Sequence, residues 1–193
     1  MLKQKNRREH ILSESALLFK ERGFGGATMR DIADRVGIEA GSMYNHIKSK
    51  NELLEAICFR VADLYLTELD KIEASGKSIH EQVEDVIRLH VRITVEDGPA
   101  VFVLNNEWKS MRGEKLDEFK QLRQAYETRI KNLLLAGMAD GSFNKVDADV
   151  ALFTLLSSVR WVEFWYKPSR NLAPAAIADD IIAMVIGGLK NGR

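Results

Sequence analysis

Residues 28–54, TMRDIADRVGIEAGSMYNHIKSKNELL, constrain the fold more than any other stretch of the chain. Thr28 is positioned to cap a short helix, with Asp31 three residues on as an imperfect capping box. Ile32, Ala33 and Val36 give that helix an apolar stripe, and Gly37 breaks it because glycine accepts the left-handed turn conformation. A second short helix is expected over about residues 39–46, with Met43 and Ile47 facing inward at i, i+4. Ser49 and Glu52 then form a capping box that opens a third helix. Two short helices across a Gly-containing turn, polar on the outer face of the second, describe a helix-turn-helix over 28–47. Such a unit lays its second helix in the DNA major groove.

The remainder of the chain continues the helical pattern. A first helix is expected over about residues 6–22, with Ile11, Leu12, Ala16, Leu18 and Phe19 inside and Gly23 ending it. A long helix over about 50–74 is shared between the head and the C-terminal body. Ser78 and Glu81 open another, to about 96, and Asp97-Gly98-Pro99 turns into a short one with Pro99 at its first position, to about 109. Helices over about 114–140, 148–166 (capped by Asp147 and stopped by Lys167-Pro168) and 175–189 complete nine. With three prolines in 193 residues, the expected fold class is all-α. The expected domains are a head over 5–65 that holds the helix-turn-helix and a helical body over 66–193.

Net charge is zero, but residues 1–50 carry ten Lys/Arg against six Asp/Glu, so the N-terminal part is basic and the rest acidic. A basic end on an acidic body suits a head that touches DNA and a body that does not. No apolar run reaches the ~20 residues of a membrane span, and the N-terminus has no apolar signal segment. Cys58 stands alone, which excludes an intramolecular disulfide and suits a reducing compartment. A cytoplasmic protein with no membrane partner is the expectation.

On Arg8, Ile11, Ala16, Phe19, Gly23, Thr28, Ile32, Ala33, Gly37, Gly41, Tyr44, His46, Lys50 and Leu53, residues 5–65 resemble the DNA-binding domain of the TetR family of bacterial transcriptional regulators. Ile47 stands where the family usually has Phe, and Glu39-Ala40 where many members carry Ser, Lys or Arg. The resemblance implies a double-stranded DNA operator as partner, and Tyr44 as a phosphate contact. Lys50, at a helix start, and Thr28 can also reach phosphate, setting register without reading sequence. Arg7, Arg8, Arg30 and Lys48 are either phosphate contacts or solvated charges. Around Gly41, the outward face offers Glu39, Ala40, Ser42, Asn45 and His46. Ser42 and Asn45 suit base edges, Asn pairing well with adenine, and Ala40 suits a thymine methyl. Glu39 either accepts from cytosine or caps its helix.

The helices of the body carry aromatic and polar residues beyond what a plain core needs. Phe102, Asn105, Asn106, Trp108, Arg123, Tyr126, Arg160, Trp161 and Trp165 are candidates to line an effector site. For each, core packing is the alternative, and Arg160 can pair with Glu163 at i, i+3. Tyr126 to Arg129, Gly141-Ser142-Phe143 with Asp147, Trp161, and Trp165-Tyr166-Lys167-Pro168 resemble the C-terminal domains of TetR-family regulators of lipid, steroid and phenylacetate breakdown. That resemblance implies an acyl-CoA thioester as the effector, with Arg88, Arg92, Lys120, Arg123 and Arg129 on helices that flank its slot. A lipophilic drug or aromatic compound is the alternative effector. The last two helices are the most apolar, and one apolar on most sides is buried on more than one side. Phe153, Leu156, Ile177, Ile181, Val185 and Leu189 are therefore candidates for a homodimer interface, the four-helix bundle the family resemblance implies. The alternative is the core of a monomer.

Repression released by a small molecule is the function these readings imply. No phosphate loop, nucleophile elbow or zinc motif appears, so neither an enzyme nor a metal site is expected. His80 and Glu84 share a helix face, but His90 lies ten residues further on and off it. A dimeric protein-binding module with a degenerate DNA head is the competing class.

Overall fold

The structure is a computed structural model that describes residues 2–167, 169 and 171–189, with side chains over 7–167, 169 and 171–188. Among the described residues it is all helix. The α-helices are α1 (Leu2–Gly26), α2 (Met29–Val36), α3 (Ala40–Met43), α4 (Lys50–Glu73), α5 (Ile79–Glu96), α6 (Gly98–Asn106), α7 (Gly113–Ala139), α8 (Ala148–Arg160), α9 (Val162–Trp165) and α10 (Pro174–Leu189). A 3₁₀ turn at Trp108–Ser110 follows α6. The helix expected over 148–166 is interrupted at Trp161, so α8 and α9 together make its two parts, and the count of nine holds on that basis. Pro168, read as the stop after it, lies outside the described residues.

Local chemistry sets the boundaries. Thr28 and Asp31 close a complete capping box: the Asp31 amide donates to the Thr28 hydroxyl at 3.1 Å, and the Thr28 amide to the Asp31 carboxylate at 2.9 Å. Ser78 and Glu81 do the same for α5 at 3.3 and 2.9 Å. Ser49 caps α4 by accepting from the Glu52 amide at 3.1 Å, while Glu52 reaches back to the Lys48 amide at 2.8 Å. Asp97 and Asp147 cap α6 and α8. Gly37 ends α2 at φ 72°, ψ 40°, its amide donating to the carbonyls of Ala33 and Asp34.

The chain divides into two compact units, one of residues up to Asp63 with Asp97–Lys120, the other of Leu64–Glu96 with Gln121 onward. The division falls inside α4, inside α7 and at the α5–α6 turn. It differs from the boundary read along the chain, because α6 and the start of α7 belong with the N-terminal unit. There α6 packs on α1, the Lys20 ammonium stands 5.8 Å from the Phe102 ring, and Arg60 pairs with Asp97. An aromatic chain, Trp108–Phe119–Phe59, runs at centroid distances of 5.8 and 5.7 Å. Ile11, Phe19, Ile32, Met43, Ile47, Leu53, Leu54 and Ile57 are wholly buried.

The second unit has a core of Leu69, Val83, Val86, Ile87, Ile130, Leu134, Leu152, Leu155 and Ile186 from α4, α5, α7, α8 and α10, with Phe143 from the α7–α8 connection. A smaller cluster, Val91, Val162, Ile177 and Ala178, joins α5, α9 and α10. Gly137 is required by close approach, since a Cβ there would stand 2.3 Å from the Phe143 ring. No helix among the described residues is long and apolar enough to cross a membrane.

Candidate functional site

The helix-turn-helix places its second helix as the periodicity demands. Met43 and Ile47 are fully buried, which turns Ala40, Gly41, Tyr44 and Asn45 outward. Helical winding is shorter than expected: α3 ends at Met43, and turns carry the chain on, with the amides of His46 and Ile47 donating to the Met43 carbonyl at 2.9 and 3.0 Å. Tyr44 is 54% exposed, and Arg30, Glu39 and Lys48 are exposed as well. Ser42 and His46 are half-buried at the edge of this face. Glu39 occupies the N-cap position through its backbone, but its side chain makes no capping hydrogen bond. The capping role read for its side chain is therefore corrected.

Two other residues are more structural than the sequence suggested. Thr28 directs both its amide and its hydroxyl to Asp31, and these bonds hold the Asp31 carboxyl below the usual carboxylate range. Lys50 donates to the carbonyls of Phe24 and Ala27, both at 2.7 Å, with its ammonium 4.5 Å from the Phe24 ring centroid. An ammonium has three N–H donors, and these bonds use two of them. Lys50 thus fixes the α1–α2 turn. Arg35, which no local signal marked, ties α2 to α1: its Nε donates to Glu14 at 2.9 Å and its terminal nitrogens to Glu21 at 2.6 and 2.9 Å. Those carboxylates push the guanidinium pKa up. Its partners lie 14 and 21 residues away, beyond any periodicity.

The nine effector candidates are divided between the two units. Phe102, Asn105, Asn106 and Trp108 lie in the unit that holds the head, where Asn106 donates to the Phe102 carbonyl at 2.9 Å. Arg123, Tyr126, Arg160, Trp161 and Trp165 lie in the other unit. Arg123 pairs with Glu127 at 2.9 Å. Trp165 packs on the α5–α10 cluster. Trp161 is 63% exposed and stacks on Phe164 with centroids 5.3 Å apart, so it belongs to a surface and not to a cavity wall in this chain.

Tyr126 has the most informative surroundings. Its hydroxyl lies 2.9 Å from His90 Nε2, and the Tyr65 ring stacks on His90 at 4.6 Å. Tyr65 shares a hydrogen bond with Thr94, and Glu163 is near enough to raise its pKa further. Burial lowers His90 to about 4, so it is a neutral imidazole, and raises both tyrosines. Tyr65, His90, Thr94, Tyr126 and Glu163 thus bring polar atoms from α4, α5, α7 and α9 into an otherwise aliphatic interior. These groups bond one another, Tyr126 with His90 and Tyr65 with Thr94, and so form a polar cluster inside the helical unit. Sequence patterns pointed to Tyr126 alone, since the others meet it only across helices. Beside this interior, α4, α5 and α10 border a cleft of about 410 Å³.

The expected dimer residues divide by face. Phe153 is exposed; Leu156, Ile181 and Val185 are half-buried. Ile177 is corrected: it is 4% exposed and packs on Val91 and Val162 of its own chain, because α10 turns that side toward α5. The Leu189 side chain lies outside the described residues. Trp161 and Phe164, apolar residues of the same stretch, are exposed like Phe153, and so is Met184 of α10, 80% exposed, which no sequence signal singled out.

Residues 11–57 match the family model described as bacterial regulatory proteins, tetR family, and residues 76–189 the one described as tetracyclin repressor-like, C-terminal domain. The HTH-type transcriptional repressor KstR2 of Rhodococcus jostii strain RHA1 is 31% identical over 186 residues, spanning 95% of this chain and 91% of that protein. The crystal structure of AibR in complex with isovaleryl coenzyme A and operator DNA is similar at a TM-score of 0.82 and 25% identity, covering 92% of this chain and 97% of that one. The ketosteroid regulator KstR2 of Mycobacterium tuberculosis shares the fold at a TM-score of 0.91 and 23% identity, over 96% and 95% of the chains. With both halves matched, the chain belongs to the TetR family of bacterial regulatory proteins.

Proposed function

We propose that this chain is a transcriptional repressor that binds operator DNA as a homodimer and is released by an acyl-CoA thioester. The observation that carries the DNA-binding part is the α2–α3 geometry. Met43 and Ile47 anchor the recognition segment, which leaves Ala40, Tyr44 and Asn45 as a small, mixed, outward face. Ala40 and Asn45 suit base edges, with Ser42 beside them; Tyr44, Arg30 and Lys48 suit phosphates. The similar repressor KstR2 supports repression. AibR, solved with isovaleryl coenzyme A and operator DNA, supports the effector class.

The homodimer rests on the α8–α10 surface. Phe153, Trp161, Phe164 and Met184 are each at least half exposed, which a soluble surface rarely tolerates as a group. Two copies joined there present two recognition segments to two half-sites. The effector binds a body conformation in which those segments sit at the wrong spacing. It shifts the population by its differential affinity, with ~1–3 kcal/mol of coupling being typical. The polar interior around His90 and Tyr126 is the candidate contact for the effector's uncharged part.

Fluorescence anisotropy of labelled DNA from upstream of this protein's own gene, against a scrambled control, tests the reading. A panel of short, medium and ring-bearing acyl-CoA esters is then added. Specific binding reversed by one ester supports both parts. Specific binding reversed only by lipophilic drugs or aromatic compounds replaces the effector class. Dimerisation without any DNA preference for operator candidates selected genome-wide favours the protein-binding module instead.

A further inference from the structure

Of the five cations expected to flank an effector slot, three pair with carboxylates and do not line the cleft between α4, α5 and α10. Lys120 pairs with Asp117 and Arg123 with Glu127, each along its own helix, and Arg129 is held by Asp70 and Glu73. Arg88 and Arg92 differ, because both line the cleft of about 410 Å³ between α4, α5 and α10. Its floor is apolar, from Ile72, Leu89, Pro174 and Ala178, and its rim also holds Glu68 and Asp85. Arg88 and Arg92 are i, i+4 neighbours on α5, so their guanidinia rise on one face, one turn apart.

We propose that this cleft takes the diphosphate end of an acyl-CoA-type thioester, one phosphate on Arg88 and the next on Arg92, with the adjoining linker on the apolar floor. The inference rests on the acyl-CoA reading of the effector and adds where its anionic end is held and what it displaces. Guanidinium and phosphate match bidentately, and two guanidinia one turn apart match two linked phosphates better than a single carboxylate. The cleft's volume lies near the lower end of the ~300–1,000 Å³ typical of small-molecule sites, so it suits one portion of a large ligand.

The present partners of the two arginines are exchangeable. Arg88 pairs with Asp179 of α10, whose side chain is 59% exposed, and more distantly with Glu84 at 4.0 Å. Exposed pairs of this kind contribute little to stability. Arg92 pairs with Glu68 at 2.6 Å and Glu96 at 3.6 Å. Glu68 keeps Lys71 at 2.5 Å when Arg92 leaves it, and Asp85 is already matched by Lys77 at 2.6 Å. A diphosphate thus replaces Glu68, which keeps Lys71, and Asp179, whose carboxylate is 59% exposed and returns to solvent. It also removes one ion pair between α5 and α10, which are otherwise joined by apolar packing, and so reaches a helix of the proposed dimer surface.

Calorimetric titration of the full-length dimer with coenzyme A and with the acyl-CoA panel tests this, using two variants of opposite expected sign. Arg88→Gln with Arg92→Gln weakens coenzyme A binding at least tenfold. Asp179→Asn, which breaks the same ion pair from the other side, tightens it severalfold by removing the competing carboxylate. A purely structural pair moves both in the same direction, and effector-free operator binding verifies that each variant is folded. Affinities within twofold of wild type, or lowered in both variants, overturn the proposal. If an ester still releases operator from the double arginine variant at the wild-type concentration, the cleft assignment fails and the acyl-CoA reading stands. If neither coenzyme A nor any ester binds the wild-type protein, both fail.

Discussion

In the unit that carries α1–α3 the interior is apolar and the exterior polar: Met43, Ile47 and Leu53 are wholly buried, Asn45 and Lys48 stand outside, and the buried Ser15 hydroxyl donates to the Ile11 carbonyl. In the unit of α5 and α8–α10 the assignment is crossed. Gln82, Thr94 and Glu163 are buried, while Phe153, Trp161, Phe164 and Met184 are exposed. The buried polar groups have partners inside the unit, Gln82 donating to the Lys77 carbonyl at 2.9 Å and Thr94 bonding Tyr65, so the exposed aromatic and thioether side chains are what sets this unit apart. In the proposed function the head needs only DNA at its polar face, while the body takes a second copy and a ligand.

The largest effect expected on this contrast comes from the head's anchor. Met43→Ala and Ile47→Ala each cost about 2–5 kcal/mol as core truncations. Hydrogen exchange is expected to rise over 29–47 with operator binding lost, while protection over 79–96 and dimerisation persist. Equal loss of protection in both regions breaks the idea of two separately packed units.

Next is the polar interior of the body. His90 lies at about 4 against 6.5 when free, so the unfolded chain takes up a proton that the folded chain refuses. Stability from this group is intact above pH 6.5 and declines as pH falls toward 4, by at most about 3 kcal/mol. Urea midpoints for His90→Gln are expected to fall less steeply with acid than wild type over that window. Parallel slopes remove His90 from the account.

Gly137→Ala probes the aliphatic part of the same unit. The added methyl meets the Phe143 ring, and overpacking of this kind costs about 1–3 kcal/mol. A lower melting temperature restored by Phe143→Leu is the expected pattern; an unchanged melt shows that the ring can move aside. Smallest is Tyr44→Phe, which removes one hydroxyl from the exposed face. Operator affinity is expected to fall by about 0.5–1.5 kcal/mol with no change in melting, the worth of one hydrogen bond.

Most of the head was legible from sequence because its determinants are local. Thr28 with Asp31, Gly37, and Met43 with Ile47 act within four residues, and helix periodicity reads such spacings directly. Asp147 was legible as a cap for the same reason, while Asp97 read only as part of a turn and caps α6 in the structure. The features that escaped lie across long separations. Nothing near Phe102 announces Lys20, nothing near Asp97 announces Arg60, and so the packing of α6 with α1 went unread. Periodicity marked Ile177 as apolar but not which neighbour would cover it, and Val91 and Val162 of the same chain do. Lys50 looked like a free cation because the carbonyls it holds, Phe24 and Ala27, lie more than twenty residues before it.

Reciprocity between the two units gives the most direct test of the central claim, that the head reads DNA and the body controls it through a ligand. The affinity of the active acyl-CoA ester is measured by calorimetry with the dimer free and with the dimer saturated by operator. The account predicts that operator weakens the ester by the same factor by which the ester weakens the operator, at least severalfold. Equal affinities for the ester in both states contradict it.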